Sequence, residues 1–154
     1  MKLRIVIAPG NGCTDVRYSN WYGWMENELS KSALFDEVIL RDMPDPIKAR
    51  EKYWVPFLLA DSTVKLNDIE YDGCGFATNG YRTVIVGHSS GAEAAMRLAE
   101  QVQVLGIVLV SACHTDLGEP SEAQAGYYNR PWNWAKIKAN VGKFGILQVG
   151  SIAR

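Results

Sequence analysis

Residues 82–91 read Arg82-Thr83-Val84-Ile85-Val86-Gly87-His88-Ser89-Ser90-Gly91, and this stretch decides the predicted fold. Its first half is a β-branched apolar run of the kind that forms buried parallel strands. Residues 90–102 are rich in Ala, Glu, Met and Leu and predict a helix that begins inside the same motif. A strand that runs directly into a helix through Gly-x-Ser-x-Gly is the setting of a nucleophile elbow. The pattern therefore predicts a tight strand-to-helix turn with Ser89 at its apex.

A nucleophile elbow needs small residues two positions before and two positions after the serine, because the turn brings the helix close to the strand. Gly87 and Gly91 occupy these positions. The Ser89 hydroxyl is then expected at the carboxyl edge of the sheet, where the helix dipole and the N–H of Ser90 stabilise a developing oxyanion. The alternative is an ordinary strand-to-helix turn in which Ser90 is the N-cap.

The rest of the chain alternates short apolar strands with helical segments. This rhythm predicts an α/β three-layer sandwich, in which a parallel sheet lies between helices on both faces. The predicted strands are 3–8, 37–40, 82–87, 104–110 and 144–149, and the predicted helices are 21–32, 47–60, 90–102 and 132–139. Residues 62–81 have no clear period and are interpreted as a loop insertion, and 118–129 as a surface loop. The length of the chain, 1–154, predicts a single domain.

A glycine-rich turn, Pro9-Gly10-Asn11-Gly12, follows the first predicted strand. Ligands of open parallel sheets collect at the carboxyl ends of the strands. The backbone N–H groups of Asn11 and Gly12 are therefore candidate oxyanion donors beside that of Ser90. The alternative is an ordinary β–α turn that needs glycine for its dihedral angles.

Three further side chains are candidates for this edge of the sheet. Trp21 is a candidate pocket residue, with core packing as the alternative. His114 follows the strand 104–110, which makes it a second candidate pocket residue. A general-base role for His114 is not favoured, because α/β-hydrolases order their triad as Ser, acid, His, whereas Asp116 follows His114. His88 precedes the nucleophile and is predicted to point away from its hydroxyl and to buttress the elbow.

Composition excludes several classes of partner and cofactor. The net charge is −1 and no run of Lys and Arg occurs, which argues against nucleic acid and anionic membranes as partners. No apolar stretch has the length of a membrane span or of a signal sequence, so a soluble cytoplasmic protein is expected. The three cysteines form no Cys-x-x-Cys pair, which predicts neither a disulfide framework nor a metal site. No phosphate-binding glycine pattern is present, so a flavodoxin-like nucleotide or flavin binder is disfavoured and no cofactor is expected.

Several stretches beyond the serine motif share one known pattern. They are Pro9-Gly10-Asn11-Gly12, Trp21-Tyr22-Gly23-Trp24, Met43-Pro44-Asp45-Pro46, Ala94-Ala95-Met96-Arg97, Val108-Leu109-Val110-Ser111-Ala112 and Arg130-Pro131-Trp132. Together they span most of the chain and resemble the retinoblastoma-binding protein 9 group of small serine hydrolases, in the α/β-hydrolase superfamily. The resemblance implies that Ser89 is the nucleophile and that small ester, amide or peptide-like substrates are hydrolysed through an acyl-enzyme. It also supports the oxyanion role of Asn11 and Gly12.

The chain departs from that family at its carboxyl end. The family's acid is an Asp shortly after a Gly-Ser pair and its His lies further along, but here Gly150-Ser151 is followed by Ile152-Ala153-Arg154. A C-terminally shortened form, without the last strand and helix, is therefore expected. Loss of activity is one expected consequence, because the triad Asp and His are not present. The alternative function is a non-catalytic protein-binding scaffold of hydrolase fold. The family's Leu-x-Cys-x-Glu motif has Asp68 in place of its cysteine, so no retinoblastoma-type partner is predicted.

Overall fold

The computed structural model describes residues 1–75, 80–142 and 144–150. The strands are β1 (Lys2–Ala8), β2 (Glu37–Leu40), β3 (Thr63–Leu66), β4 (Ile69–Asp72), β5 (Tyr81–His88), β6 (Gly106–Val110) and β7 (Ile146–Val149). The α-helices are α1 (Tyr22–Lys31), α2 (Glu51–Leu59), α3 (Ser90–Ala99), α4 (Pro120–Ala125) and α5 (Trp134–Asn140), and one 3-10 turn (Val16–Tyr18) precedes α1.

Five parallel strands form the central sheet in the order β2-β1-β5-β6-β7. The pairing register brings the carboxyl ends of β1, β5 and β6 to one edge, since Ala8 lies opposite Gly87 and Gly87 opposite Leu109. The backbone N–H of Ser89 extends this ladder by donating to the carbonyl of Val110 at 3.0 Å. The residue after β5 is therefore held at the centre of the sheet's carboxyl edge.

Helices cover the sheet from both sides because side chains alternate along each strand. Val6 and Ala8 face the main core, which contains residues of α2, α3 and α5. Ile7 faces the other side and packs in a smaller cluster with Tyr22 of α1. The predicted α/β architecture, with a parallel sheet between layers of helices, is confirmed. None of the helices formed by the described residues is long and apolar enough to cross a membrane.

Residues 62–75 and 80–81 of the predicted loop insertion are described, and they include an antiparallel hairpin of β3 and β4 rather than an irregular loop. Asn67 and Asp68 form its turn with φ angles of 50° and 62°, the paired positive values that two-residue hairpins require. Val64 and Leu66 pack against the main core, so one side of the hairpin is apolar. The sequence signal for this hairpin is the alternation of apolar and polar residues over four positions beside the Asn67-Asp68 turn.

The predicted surface loop at 118–129 contains α4, so this prediction was wrong for its central residues. Pro120 begins the helix, where its fixed φ suits the first turn and its missing N–H is not needed. Gly126 ends it in the left-handed conformation, with φ 95°. In the predicted helix 47–60, α2 covers only Glu51–Leu59 and contains Pro56 close to its end.

Candidate active site

Ser89 occupies the junction between β5 and α3 in a conformation that few side chains adopt. Its φ is 51° and its ψ is −121°, outside the regions favoured by L-amino acids. Such a backbone costs on the order of 1–3 kcal/mol and persists only where surrounding structure enforces it. The strained strand–serine–helix turn predicted from the sequence is therefore present at this position.

Two glycines allow this turn by removing side chains from its closest contacts. A Cβ on Gly87 would lie 2.4 Å from the carbonyl oxygen of Gly91. A Cβ on Gly91 would lie 2.2 Å from the carbonyl oxygen of Ala8 at the end of β1. Both distances are far below van der Waals contact, so the elbow needs glycine at each position.

Among the described residues, the backbone N–H groups of Asn11 and Ser90 have no hydrogen-bond acceptor. The N–H of Ser90 lies in the first turn of α3, where helical N–H groups have no intrahelical partner. The loop that carries Asn11 passes close to the nucleophile, since a Cβ on Gly10 would lie 3.4 Å from the Cβ of Ser89. These two N–H groups can therefore serve as oxyanion donors.

One of the two N–H groups predicted as oxyanion donors in the loop after β1, that of Gly12, is already hydrogen-bonded. The N–H of Gly12 already donates to the carbonyl of Pro46 at 2.8 Å. Gly12 instead shapes the loop, because its φ of 82° is one that glycine adopts without strain. The N–H of Asn11 is therefore the candidate oxyanion donor in the loop after β1.

His88, which was predicted to point away from the Ser89 hydroxyl, lies against α1. Its Nδ1 lies 2.6 Å from the Tyr22 hydroxyl oxygen, and its ring centroid lies 5.6 Å from that of Trp21. Burial lowers the pKa of His88, which favours the neutral imidazole. Within the described residues, this ring makes no hydrogen bond to the Ser89 hydroxyl.

Trp21 and His114 lie at different places around the elbow. Trp21 is half-buried at the start of α1, against Tyr22 and His88. His114 is exposed, and its backbone carbonyl accepts a 2.8 Å hydrogen bond from Trp132 Nε1. The carboxylate of Asp116 accepts from the N–H of Gly118 rather than contacting His114. Within the described part of the chain, no histidine ring is hydrogen-bonded to Ser89.

A cleft of about 1010 Å³ runs beside the elbow, and Asn11 and Ser90 belong to its lining. Trp21 and His114 do not, so the two predicted pocket residues lie outside this cleft. Apolar and charged side chains of the α2 and α4 regions form its walls, among them Ile47, Lys48, Lys52, Val55, Leu59, Glu122 and Arg130. The cleft therefore reaches the two residues that carry the candidate oxyanion donors, while Ser89 itself is not part of its lining, and its walls can hold a small organic substrate.

One buried acid near the elbow was not anticipated from the sequence. Glu93, in the first turn of α3, is only 2% exposed, and its carboxyl oxygen accepts a 2.9 Å hydrogen bond from the N–H of Cys113. Burial raises its pKa to about 8, and the nearby charge of Glu122 adds to this. A lone Glu in an alanine-rich helix normally faces solvent, so the residues around it carried no signal.

Comparison with known proteins adds to this geometry. The chain is 45% identical over 148 residues to the serine hydrolase RBBP9 of Rattus norvegicus, a match that covers 96% of this chain and 70% of that protein. The crystal structure of the ydeN gene product from B. subtilis superposes with a TM-score of 0.64 at 18% identity, covering 96% of this chain and 71% of that one. At this identity the second match bears on the fold alone. No protein-family model matches the chain.

Proposed function

This chain belongs to the family of the serine hydrolase RBBP9, and we propose that it cleaves small ester, amide or peptide-like substrates through an acyl-enzyme on Ser89. The observation that carries the proposal is the conformation of Ser89, with φ 51° and ψ −121° between β5 and α3. Strain of this kind clusters at functional sites, where it presents a reactive group.

The proposed reaction follows from the groups around Ser89. The Ser89 oxygen attacks the substrate carbonyl carbon, and the carbonyl π electrons move onto the carbonyl oxygen. The serine proton passes to a base or to solvent water, since no base is hydrogen-bonded to Ser89 within the described residues. The N–H groups of Asn11 and Ser90 donate to this oxyanion. The tetrahedral intermediate then collapses and expels the alcohol or amine, which takes up the proton. Water attacks the resulting ester in the same way, releasing the acid and restoring the serine.

The dimensions and chemistry of the cleft support a small substrate. Its volume of about 1010 Å³ is at the upper end of the range for small-molecule sites. Val55 and Leu59 provide apolar surface for an acyl chain, while Lys48 and Lys52 provide charge at its rim. A p-nitrophenyl ester series with acyl chains of two to eight carbons tests this assignment. We expect kcat/KM to rise with chain length and then fall when the chain exceeds the cleft.

A second candidate is a binding protein that keeps the hydrolase scaffold without its activity. One observation favours it: within the described part of the chain, no histidine is hydrogen-bonded to the Ser89 hydroxyl. A serine without a base is a weak nucleophile, although oxyanion donors and binding alone can retain about 10³–10⁴-fold acceleration over water. Reactivity of Ser89 separates the two candidates.

The deciding experiment is labelling of the purified chain with a fluorophosphonate probe, read by intact mass. Ser89→Ala removes the proposed nucleophile. Ser90→Ala is the matched control, because it keeps the elbow and the backbone N–H at position 90. Hydrolase function predicts one adduct on the wild type and on Ser90→Ala, and none on Ser89→Ala. A folded wild type that takes up no probe would instead support the binding scaffold.

A further inference from the structure

The Tyr22 hydroxyl lies between the loop after β1 and the elbow. Tyr22 is fully buried at the start of α1, with 0% exposure. Its hydroxyl oxygen accepts a 2.9 Å hydrogen bond from the N–H of Gly10 and lies 2.6 Å from Nδ1 of His88. Gly10 precedes the candidate oxyanion donor Asn11, and His88 precedes the candidate nucleophile Ser89. One hydroxyl thus joins the two segments whose spacing defines the site.

The direction of each hydrogen bond follows from counting protons. A backbone N–H can only donate, so the Tyr22 oxygen accepts from Gly10. The side-chain amide nitrogen of Asn20, 3.5 Å away, is also a donor. The phenolic proton has two candidate acceptors among the described residues, His88 Nδ1 at 2.6 Å and the sulfur of Cys13. The imidazole nitrogen is the stronger acceptor of the two and takes the proton. An imidazole that accepts at Nδ1 carries its proton at Nε2, and burial independently favours this neutral form by lowering the pKa of His88.

We propose that Tyr22 is a positioning residue that sets the oxyanion hole by clamping Gly10 to the neutral, Nε2-protonated imidazole of His88. The catalytic consequence of this clamp rests on the proposed function, whereas the contacts that form the clamp do not. The clamp matters for catalysis because oxyanion donors act through their distance to the developing charge. A Cβ on Gly10 would already touch the Cβ of Ser89 at 3.4 Å, so a shift of this loop moves Asn11 directly relative to the nucleophile.

Tyr22→Phe removes the hydroxyl and keeps the ring that packs on Trp21. Tyr127→Phe is the matched control, because Tyr127 is equally buried and its hydroxyl has no hydrogen-bond partner among the described residues. In Tyr22→Phe we expect the Gly10 amide to exchange with solvent at least about tenfold faster. We also expect the ¹⁵N signal of His88 Nδ1 to shift as its donor is lost. Neither change is expected in Tyr127→Phe.

The catalytic readout is the fluorophosphonate labelling rate. Complete loss of an oxyanion donor costs about 10²–10³-fold, so displacement of Asn11 is expected to slow labelling by about tenfold. Unchanged Gly10 exchange and unchanged His88 signals in Tyr22→Phe would overturn the clamp. Changed signals with an unchanged labelling rate would overturn its positioning role. If the wild type takes up no probe, the proposed function fails, and the exchange and imidazole signals alone decide the clamp.

A second pair of variants decides the question if Tyr22→Phe does not fold. His88→Asn places an amide oxygen where Nδ1 accepts, whereas His88→Leu removes the acceptor. We expect His88→Asn to keep the slow exchange of the Gly10 amide and His88→Leu to lose it. Equal exchange rates in these two variants would overturn the clamp.

Discussion

The Glu93 carboxyl accepts a 2.9 Å hydrogen bond from the backbone N–H of Cys113, which ties α3 to the segment that follows β6. Val110, the last residue of β6, accepts from the N–H of Ser89, so this segment leaves the sheet directly beside the elbow. Around Glu93 lie Glu122 and Tyr128, and Glu93 forms no salt bridge within the described part of the chain. A buried acid without a cation is held in its neutral form.

The first prediction concerns the pH dependence of stability. Burial raises the pKa of Glu93 from 4.5 to about 8, so between these values the folded chain holds a proton that the unfolded chain has released. Its contribution to the free energy of unfolding is present below pH 4.5 and is lost as pH rises toward 8, by at most about 1.4 kcal/mol per pH unit. Urea denaturation from pH 5 to pH 8 measures this slope.

Glu93→Gln is the control for this prediction, because the amide keeps the shape and the acceptor oxygen without an ionisable proton. We expect its free energy of unfolding to fall less steeply with pH than that of the wild type. Glu122, whose pKa burial also raises, is present in both proteins, so the difference reports Glu93 together with its coupling to Glu122. Parallel slopes for the two proteins would show that Glu93 does not ionise differently on folding.

The second prediction concerns the glycines of the elbow. Gly91→Ala places a Cβ 2.2 Å from a carbonyl oxygen of β1, and the backbone must move to accept it. We expect a loss of at least about 3 kcal/mol in the free energy of unfolding. Gly118→Ala is the comparison: its Cβ meets nothing within 4 Å, and its φ of 76° costs about 1–2 kcal/mol. Equal denaturation midpoints would contradict the close packing of α3 on β1.

The third prediction concerns the strain at Ser89. Glycine adopts a φ of 51° with a ψ of −121° far more easily than alanine does. Ser89→Gly is therefore expected to be about 1 kcal/mol more stable than Ser89→Ala, after the larger unfolded-state entropy of glycine is subtracted. Both variants lose the nucleophile, so fluorophosphonate labelling is expected to vanish in each. A Ser89→Gly variant less stable than Ser89→Ala would show that the turn stores no strain.

The fourth prediction concerns Arg97, which is fully buried in α3. Its guanidinium donates to the carbonyls of Tyr127, Arg130 and Pro131 and lies 3.9 Å from the ring centroid of Trp132. A lysine ammonium cannot reproduce this planar set of donors, so we expect Arg97→Lys to lose at least about 3 kcal/mol of unfolding free energy. Chemical denaturation checks this value. A loss below about 1 kcal/mol would mean that the carbonyls find other donors.

Arg97 also connects stability to the cleft, because Arg130 belongs to the cleft lining. Loosening of this segment is expected to raise KM for p-nitrophenyl esters in Arg97→Lys while the fluorophosphonate labelling rate stays nearly unchanged. The elbow itself is held by Gly87 in β5 and by Gly91 at the start of α3, whereas Arg97 lies near the other end of this helix. A fall in labelling as large as the change in KM would place Arg97 in the support of the elbow.

The sequence alone determined the local unit at the centre of the site. A β-branched strand, two glycines around Ser89 and an alanine-rich helix are neighbours in the chain, so their steric rules act within ten residues. The alternation of strands and helices likewise predicted the parallel sheet, because helices between successive strands cover both faces of a sheet and bury its strands. The hairpin β3–β4 and the helix α4 were missed, since their signals are a two-residue turn and a Pro–Gly pair within polar sequence.

Tertiary structure decided which groups meet across the sheet. Pro46 accepts from the N–H of Gly12, whereas that of Asn11 has no acceptor among residues 1–75, 80–142 and 144–150, although the two residues are adjacent in the chain. Tyr22, 66 positions from His88, contacts Nδ1 of that imidazole. Glu93 is buried because α3 packs against the segment after β6. Each of these outcomes depends on the pairing of distant segments, whose hydrogen bonds and burial no local pattern encodes.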